Sequence, residues 1–153
     1  GDMVDFVLEQ PVDAILCLFS SIGYVHPGDR LRQAAATMYR NIVPGGVLVI
    51  EPWLQPHVGK PGFFSQHTYD GPNIKLCRAG VHQVQGRLSS FDFHWLVTTA
   101  GGCEHFVENH QLYMYTQQEL VEAFTLAGFA AHWREDGLMP ERGLLVAHRT
   151  RSV

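Results

Sequence analysis

The chain has 153 residues, 46% of them hydrophobic, with a formal net charge of −4. That suffices for one compact core and is too little for two domains. The basic residues are scattered, with only His148-Arg149-Thr150-Arg151 loosely grouped at the tail, so neither a nucleic-acid footprint nor a binding arm is expected.

No apolar run approaches the length of a bilayer-crossing helix, and no signal-peptide pattern opens the chain. The cysteines Cys17, Cys77 and Cys103 are far apart and odd in number. They fit a reduced, cytoplasmic protein in which Cys17, inside an apolar run, is a buried thiol. Gly1-Asp2-Met3-Val4-Asp5-Phe6 leads almost directly into a buried-looking strand, which reads as the middle of a fold.

In chain order, Asp13–Leu18 is a nearly continuous apolar run, as expected of a strand covered on both faces of a parallel sheet. Residues 19–28 form a Ser- and Gly-containing loop closed by Pro27-Gly28. From Asp29, which can cap the next element, Leu31, Ala34, Ala35, Met38, Tyr39 and Ile42 share one helical face. Pro44-Gly45-Gly46 should stop that helix, and Val47–Ile50 is a second buried strand ending at Glu51-Pro52-Trp53. Strand, helix and strand in this order make a βαβ unit. Ligands of such units sit beyond the carboxyl ends of the strands, here between the residues after Leu18 and Glu51-Pro52-Trp53.

Residues 54–115 change character. Segments near 73–84, 87–99 and 103–115 are rich in Val, Phe, Tyr, Trp and His, and alternate at Phe91, Phe93, Trp95 and at Phe106, Glu108, His110, Leu112, Met114. With Gly86 and Gly101-Gly102 as turns, they read as an inserted antiparallel meander. Thr116-Gln117-Gln118-Glu119 is then a capping box for a helix whose face is Leu120, Ala123, Phe124 and Ala127, and which Gly128 ends. Two strands close the chain, near Phe129–Arg134 and Gly143–His148.

Several loops carry a resemblance. Gly1-Asp2-Met3, Leu18-Phe19-Ser20-Ser21-Ile22-Gly23-Tyr24, Pro44-Gly45-Gly46-Val47, Glu51-Pro52-Trp53, His105-Phe106 with His110, and Arg142-Gly143-Leu144 resemble the N,N-dimethyltransferases of nucleotide-linked amino sugars. The resemblance covers essentially the whole chain. It implies an α/β fold, namely the carboxy-terminal part of a Rossmann-like class I methyltransferase sheet with an inserted antiparallel β meander. Residues 1–153 would then be a single, partial domain, with 54–115 as the insertion. The family's glycine-rich cofactor loop and the acidic residue after its second strand would precede this chain.

The implied activity is N-methylation from S-adenosylmethionine onto the amino group of a nucleotide-linked sugar. Asp2 and Met3 would border the adenine, and Leu18 and Phe19 would wall the cofactor. Tyr24 or His26 would assist proton loss from the acceptor, with His26 as readily a plain loop residue, and Glu51 would orient the amine. Trp53 would face sugar or base, Arg142 and Arg78 the diphosphate, with a hydroxyl from Ser65. Ala79-Gly80-Val81 departs from the more polar family pattern, which leaves room for another amine. The alternatives are a methyltransferase for a different small molecule and a non-catalytic binding or dimerisation module. In either case the meander could pair two copies.

Metal chemistry is not expected. His105 and His110, five apart on a strand, should point to opposite faces, and no Cys-x-x-Cys or His-x-x-x-His spacing occurs. Gly-x-Ser-x-Gly is absent, which removes the simplest hydrolase reading.

Overall fold

The computed structural model describes every residue except Pro27, Lys60, Ser152 and Val153; the loop closure expected of Pro27 lies outside the described residues. In order, the elements are β1 (Val12–Cys17), a 3₁₀ turn (Ser21–Tyr24), α1 (Arg30–Arg40), β2 (Ile42–Ile50), β3 (Phe64–Asp70), β4 (Ile74–Gln85), β5 (Leu88–Thr99), β6 (Gly102–Tyr113), α2 (Gln117–Leu126), β7 (Phe129–Arg134) and β8 (Leu144–Arg149). They fall into two compact units, one of Gly1–Val58 with Leu112–Val153 and one of Gly59–Gln111.

The first unit holds a four-stranded sheet in the order β1-β2-β8-β7. β1 and β2 run parallel, joined by α1, while β8 is antiparallel to both β2 and β7. A single core forms where α1 and α2 cover one face of this sheet. Leu31, Ala35 and Met38 of α1 and Leu120 and Phe124 of α2 are buried together with Leu48, Ile50, Leu145 and Ala147. The opposite face is not covered in the same way, because both helices pack on one side. Leu16 there is 63% exposed, so the expectation of a β1 buried on both faces does not hold among the described residues.

Two further expectations are corrected around α1. Asp29 occupies the N-cap position, but its side chain makes no capping hydrogen bond; it faces Arg32 at 3.9 Å instead. The helix stops before Pro44-Gly45-Gly46, because the Asn41 side chain takes over the last turn. Its amide donates to the Thr37 and Phe6 carbonyls at 2.8 and 3.1 Å, and its oxygen accepts the Leu8 N–H at 2.9 Å. Ile42 consequently starts β2 and is not the last helical residue. Pro44–Gly46 is an irregularity within the strand, where the β1–β2 register jumps from Val12↔Ile42 to Ala14↔Val47. A side chain at Gly46 would meet the Asp13 carbonyl at 2.8 Å.

α2 begins as its sequence dictates. The Thr116 hydroxyl accepts the Glu119 N–H at 3.1 Å, and Glu119 Oε2 accepts the Thr116 N–H at 2.8 Å. Thr116→Ala should lower the unfolding free energy by about 1 kcal/mol, read from a urea titration. A Thr116→Ser change, which keeps the oxygen, should be close to neutral.

The second unit is an antiparallel meander in the order β3-β4-β5-β6, with β6 running on to Tyr113. Its last three strands fall where the alternation places them. β3 is an addition: Phe-Ser-Gln-His-Thr-Tyr-Asp is polar and mostly exposed, and it pairs residue for residue with β4 from Phe64↔Val81 to Asp70↔Lys75. One face carries His82, Phe91, Phe93 and His110 in successive ring contacts. The other carries His94 stacked on His105 at 5.5 Å, so His105 and His110 do face opposite ways. Among the described residues no group of three or more His, Cys, Asp or Glu is arranged to hold a metal.

Candidate active site

The carboxyl ends of β1 and β2 lie side by side, since Cys17 pairs with Ile50 and the Glu51 N–H donates to the Cys17 carbonyl at 2.9 Å. Immediately beyond them the backbone turns sharply. Phe19 and Ser20 both sit in the left-handed region, at φ 52° and 64°. Such conformations cost residues other than glycine about 1–3 kcal/mol each and persist only where neighbours hold them.

Glu51 is one such neighbour. It is 1% exposed, and its Oε2 accepts the Phe19 N–H at 2.8 Å. Its Oε1 has no hydrogen-bond partner among the described residues and faces Arg142 Nη1 at 3.5 Å. The same Arg142 nitrogen donates to Ser20 Oγ at 2.9 Å, and Ser20 Oγ donates to the Pro52 carbonyl at 3.3 Å. The guanidinium lies over the Trp53 ring, 4.6 Å from its centroid. Burial pulls the Arg142 pKa down, and the Glu51 charge opposes that shift; an arginine stays cationic regardless.

Glu51, Trp53 and Arg142, expected at the acceptor, are therefore brought together with Phe19. They meet differently from the expectation. Glu51 holds the Phe19 N–H with one oxygen and faces Arg142 with the other, which makes no hydrogen bond among the described residues. Arg142, expected at a diphosphate, is engaged by Glu51, Ser20 and Trp53. Ser20 carries no signal in the sequence beyond its place in the Phe19-Ser20-Ser21 run.

The remaining expected residues are distributed as follows. Phe19 presents its ring to solvent, 83% exposed, and Tyr24 at the end of the 3₁₀ turn is 47% exposed. His26 stacks on Tyr113, with ring centroids 6.2 Å apart and an interplanar angle of 23°. Together with Tyr115, Arg32, Glu119 and Glu122 these two rings line a cleft of about 310 Å³. Tyr113 and Tyr115 fall at the parity opposite to the Leu112, Met114 alternation, so the sequence does not single them out; the Tyr115 hydroxyl donates to the Val25 carbonyl and so fixes the loop that carries His26.

Near the start of the chain, Asp2 accepts from Arg30 at 2.5 Å and from the Val4 N–H at 3.3 Å. The Arg30 hydrogen bond is the main reason its carboxyl is held below the usual range. Leu18 is half-buried, as is Met3, whose sulfur accepts from the Cys17 thiol at 3.7 Å. Burial pushes that thiol up to about 11. A raised thiol pKa adds stability that is fully present below the unfolded value of 9.0 and is lost as pH rises through about 11. At about pH 8 a maleimide should therefore label exposed Cys103 and spare Cys17 until the chain unfolds. Mass spectrometry of the digested protein checks this, and early labelling of Cys17 would contradict the burial.

Ser65 and Arg78 belong to the meander unit. They share a face, since Ser65 pairs with Gly80 and Arg78 with His67. The Arg78 guanidinium rests over Phe93 at 4.5 Å and Trp95 at 5.5 Å.

No family model matches the chain. A dTDP-3-amino-3,4,6-trideoxy-alpha-D-glucopyranose N,N-dimethyltransferase from Streptomyces venezuelae is 33% identical over 147 residues, covering 95% of this chain and 62% of the relative. Over nearly its whole length the chain is similar to dTDP-amino-sugar N,N-dimethyltransferases. It spans less than two thirds of their length. A solved sugar N-methyltransferase from Streptoalloteichus superposes with a TM-score of 0.90 at 31% identity, covering 99% of this chain and 61% of that one. An S-adenosylmethionine-bound amino pentose methyltransferase from Micromonospora echinaspora gives 0.83 at 34%, covering 98% and 63%. The fold expected from the sequence, a class I methyltransferase-like sheet, is the one observed.

Proposed function

We propose that the protein carrying this chain transfers methyl groups from S-adenosylmethionine to the amino group of a dTDP-linked amino sugar, and that this chain supplies mainly the acceptor side. The similarity to amino-sugar N,N-dimethyltransferases carries this reading, and the convergence of Phe19, Glu51, Trp53 and Arg142 at two parallel strand ends supports it.

The residues present fit one edge of the cofactor. An adenine needs a hydrogen-bond acceptor for its exocyclic amine and a flat apolar surface, which Asp2 and the exposed Phe19 ring offer, with Met3 and Leu18 beside them. The bound cofactor supplies the methyl group on a sulfonium. The protein's part is alignment, which can contribute effective molarities of about 10⁵–10⁸ M, and keeping the acceptor nitrogen uncharged. Tyr24, a half-exposed residue, and His26, in the cleft, are the groups assigned to take the proton. Trp53 is assigned to the sugar or base, and Ser65 and Arg78 to the nucleotide.

Residues 1–153 are read as one partial methyltransferase domain with the meander as its insertion. A homodimer formed through the meander belongs to the same proposal. No helix among the described residues is long and apolar enough to cross a membrane; a cytoplasmic location is part of the same proposal.

Incubating the full-length protein with S-adenosylmethionine and a dTDP-3-amino-dideoxyhexose tests the function. S-Adenosylhomocysteine should appear together with an N-methylated sugar nucleotide, identified by its mass. Turnover of other small amines but not of this class would overturn the proposed acceptor.

A further inference from the structure

Thr37 on α1 and Asn41 at its end are polar, yet they are buried alongside the apolar Leu31, Ala34, Ala35 and Met38. Buried hydroxyl and amide groups need partners, and these find several in the segment before β1. The Thr37 hydroxyl donates to the Val4 carbonyl at 2.6 Å and accepts from Arg40 at 2.8 Å. The Asn41 amide donates to the Phe6 carbonyl at 3.1 Å, and its oxygen accepts the Leu8 N–H at 2.9 Å. At the start of the helix, Arg30 Nη2 reaches Asp2 Oδ2 at 2.5 Å. Positions 30, 37 and 41 fall on one side of a helix, and together they engage every second residue from Asp2 to Leu8.

Residues 2–8 form no strand or helix of their own. Their internal backbone hydrogen bonds, among the described residues, are those of one turn, from the Asp5 and Phe6 N–H groups to the Asp2 carbonyl at 3.3 and 3.1 Å. Met3, Val4 and Phe6 pack on the core, but apolar packing is not directional and does not fix how a carboxylate at residue 2 is presented. The hydrogen bonds to α1 do. On the other side, Met3 meets the Cys17 thiol, at the end of β1 and next to Leu18 and Phe19. We infer that Arg30, Thr37 and Asn41 are positioning residues for the cofactor. They fasten the 2–8 segment to α1 and so set where the Asp2 carboxylate and the Met3 side chain stand relative to the end of β1. The assignment of Asp2 and Met3 to the adenine rests on the function proposed above; the fastening of the segment does not.

Thr37→Val in the full-length protein tests the inference, because it removes the hydroxyl at nearly constant volume and touches no N–H of the segment. In the ligand-free protein the amides of residues 4–8 should exchange about fivefold faster or more, while those of β2 and β8 keep wild-type rates. By calorimetric titration the Kd for S-adenosylhomocysteine should rise about fivefold or more, and that for dTDP should stay within about twofold. Thr37→Ser, which keeps the hydroxyl, should restore both. Asn41→Ala should shift the same ligand in the same direction, and the Thr37 variants decide the matter should Asn41→Ala not fold.

Equal weakening of both ligands, or faster exchange spread through β2 and β8, would reduce Thr37 to general stability and overturn the inference. Wild-type affinity for S-adenosylhomocysteine with a loosened segment would overturn it as well. A wild-type protein that binds no S-adenosylhomocysteine would sink the functional reading and the adenine role with it, and exchange in Thr37→Val would still decide whether α1 fastens the segment.

Discussion

Phe124→Ala is expected to destabilise the first unit by about 3–5 kcal/mol. The Phe124 side chain is fully inaccessible. It packs against Phe129 at a ring separation of 6.0 Å, and its helix contacts α1, β7 and β8. Removing the ring loses its transfer free energy and also leaves a cavity that two helices on one sheet face cannot close without shifting. Urea unfolding followed by tryptophan emission measures the loss. Leu126→Ala on the same helix is the control, because Leu126 is 66% exposed and should change stability by less than about 0.5 kcal/mol. Equal losses from both would mean that α2 is not docked through Phe124.

Gly143→Ala should be nearly as damaging, for two separable reasons. Gly143 sits at φ 69°, and a methyl group there would lie 2.2 Å from Trp133 Cζ2 and 3.0 Å from the Arg134 carbonyl. The left-handed backbone contributes about 1–3 kcal/mol, and forcing Trp133 aside about 1–3 kcal/mol more. Gly28→Ala isolates the first effect, since Gly28 has φ 71° with nothing within 4 Å of the added carbon. It should be the milder change by urea unfolding. Because residue 143 follows Arg142, Gly143→Ala should also weaken the Arg142 contact with Trp53, seen as a fluorescence change that is lost in a Trp53→Phe background.

Elements with a strong local signal were legible in the sequence. The Thr116–Glu119 box and the Leu120, Phe124 face define α2 through local contacts alone, and the alternation of Phe91, Phe93 and Trp95 marks β5. Features decided by tertiary partners were not. Asn41, not Pro44, ends α1, because a neighbouring segment supplies Leu8 and Phe6 backbone groups for its side chain. β3 has no apolar alternation and exists by pairing with β4.

The same distinction holds at the site. The loop words containing Phe19, Glu51, Trp53 and Arg142 do come together in space, because the βαβ order brings two strand ends side by side. Which way each polar group turns was not legible. That Glu51 and Arg142 face each other was not legible, because a partner 91 positions away leaves no local trace. Neither does the stacking of His26 on Tyr113.

The central claim, that the acceptor sits beyond the carboxyl ends of β1 and β2, is tested most directly by amide hydrogen exchange on the full-length protein. Exchange is compared with and without a dTDP-3-amino sugar in the presence of S-adenosylhomocysteine. Residues 18–26 and 51–54 should slow on addition of the sugar nucleotide, while residues 117–126 of α2 stay unchanged. Protection confined to other segments, with 18–26 and 51–54 exchanging as before, would contradict the account.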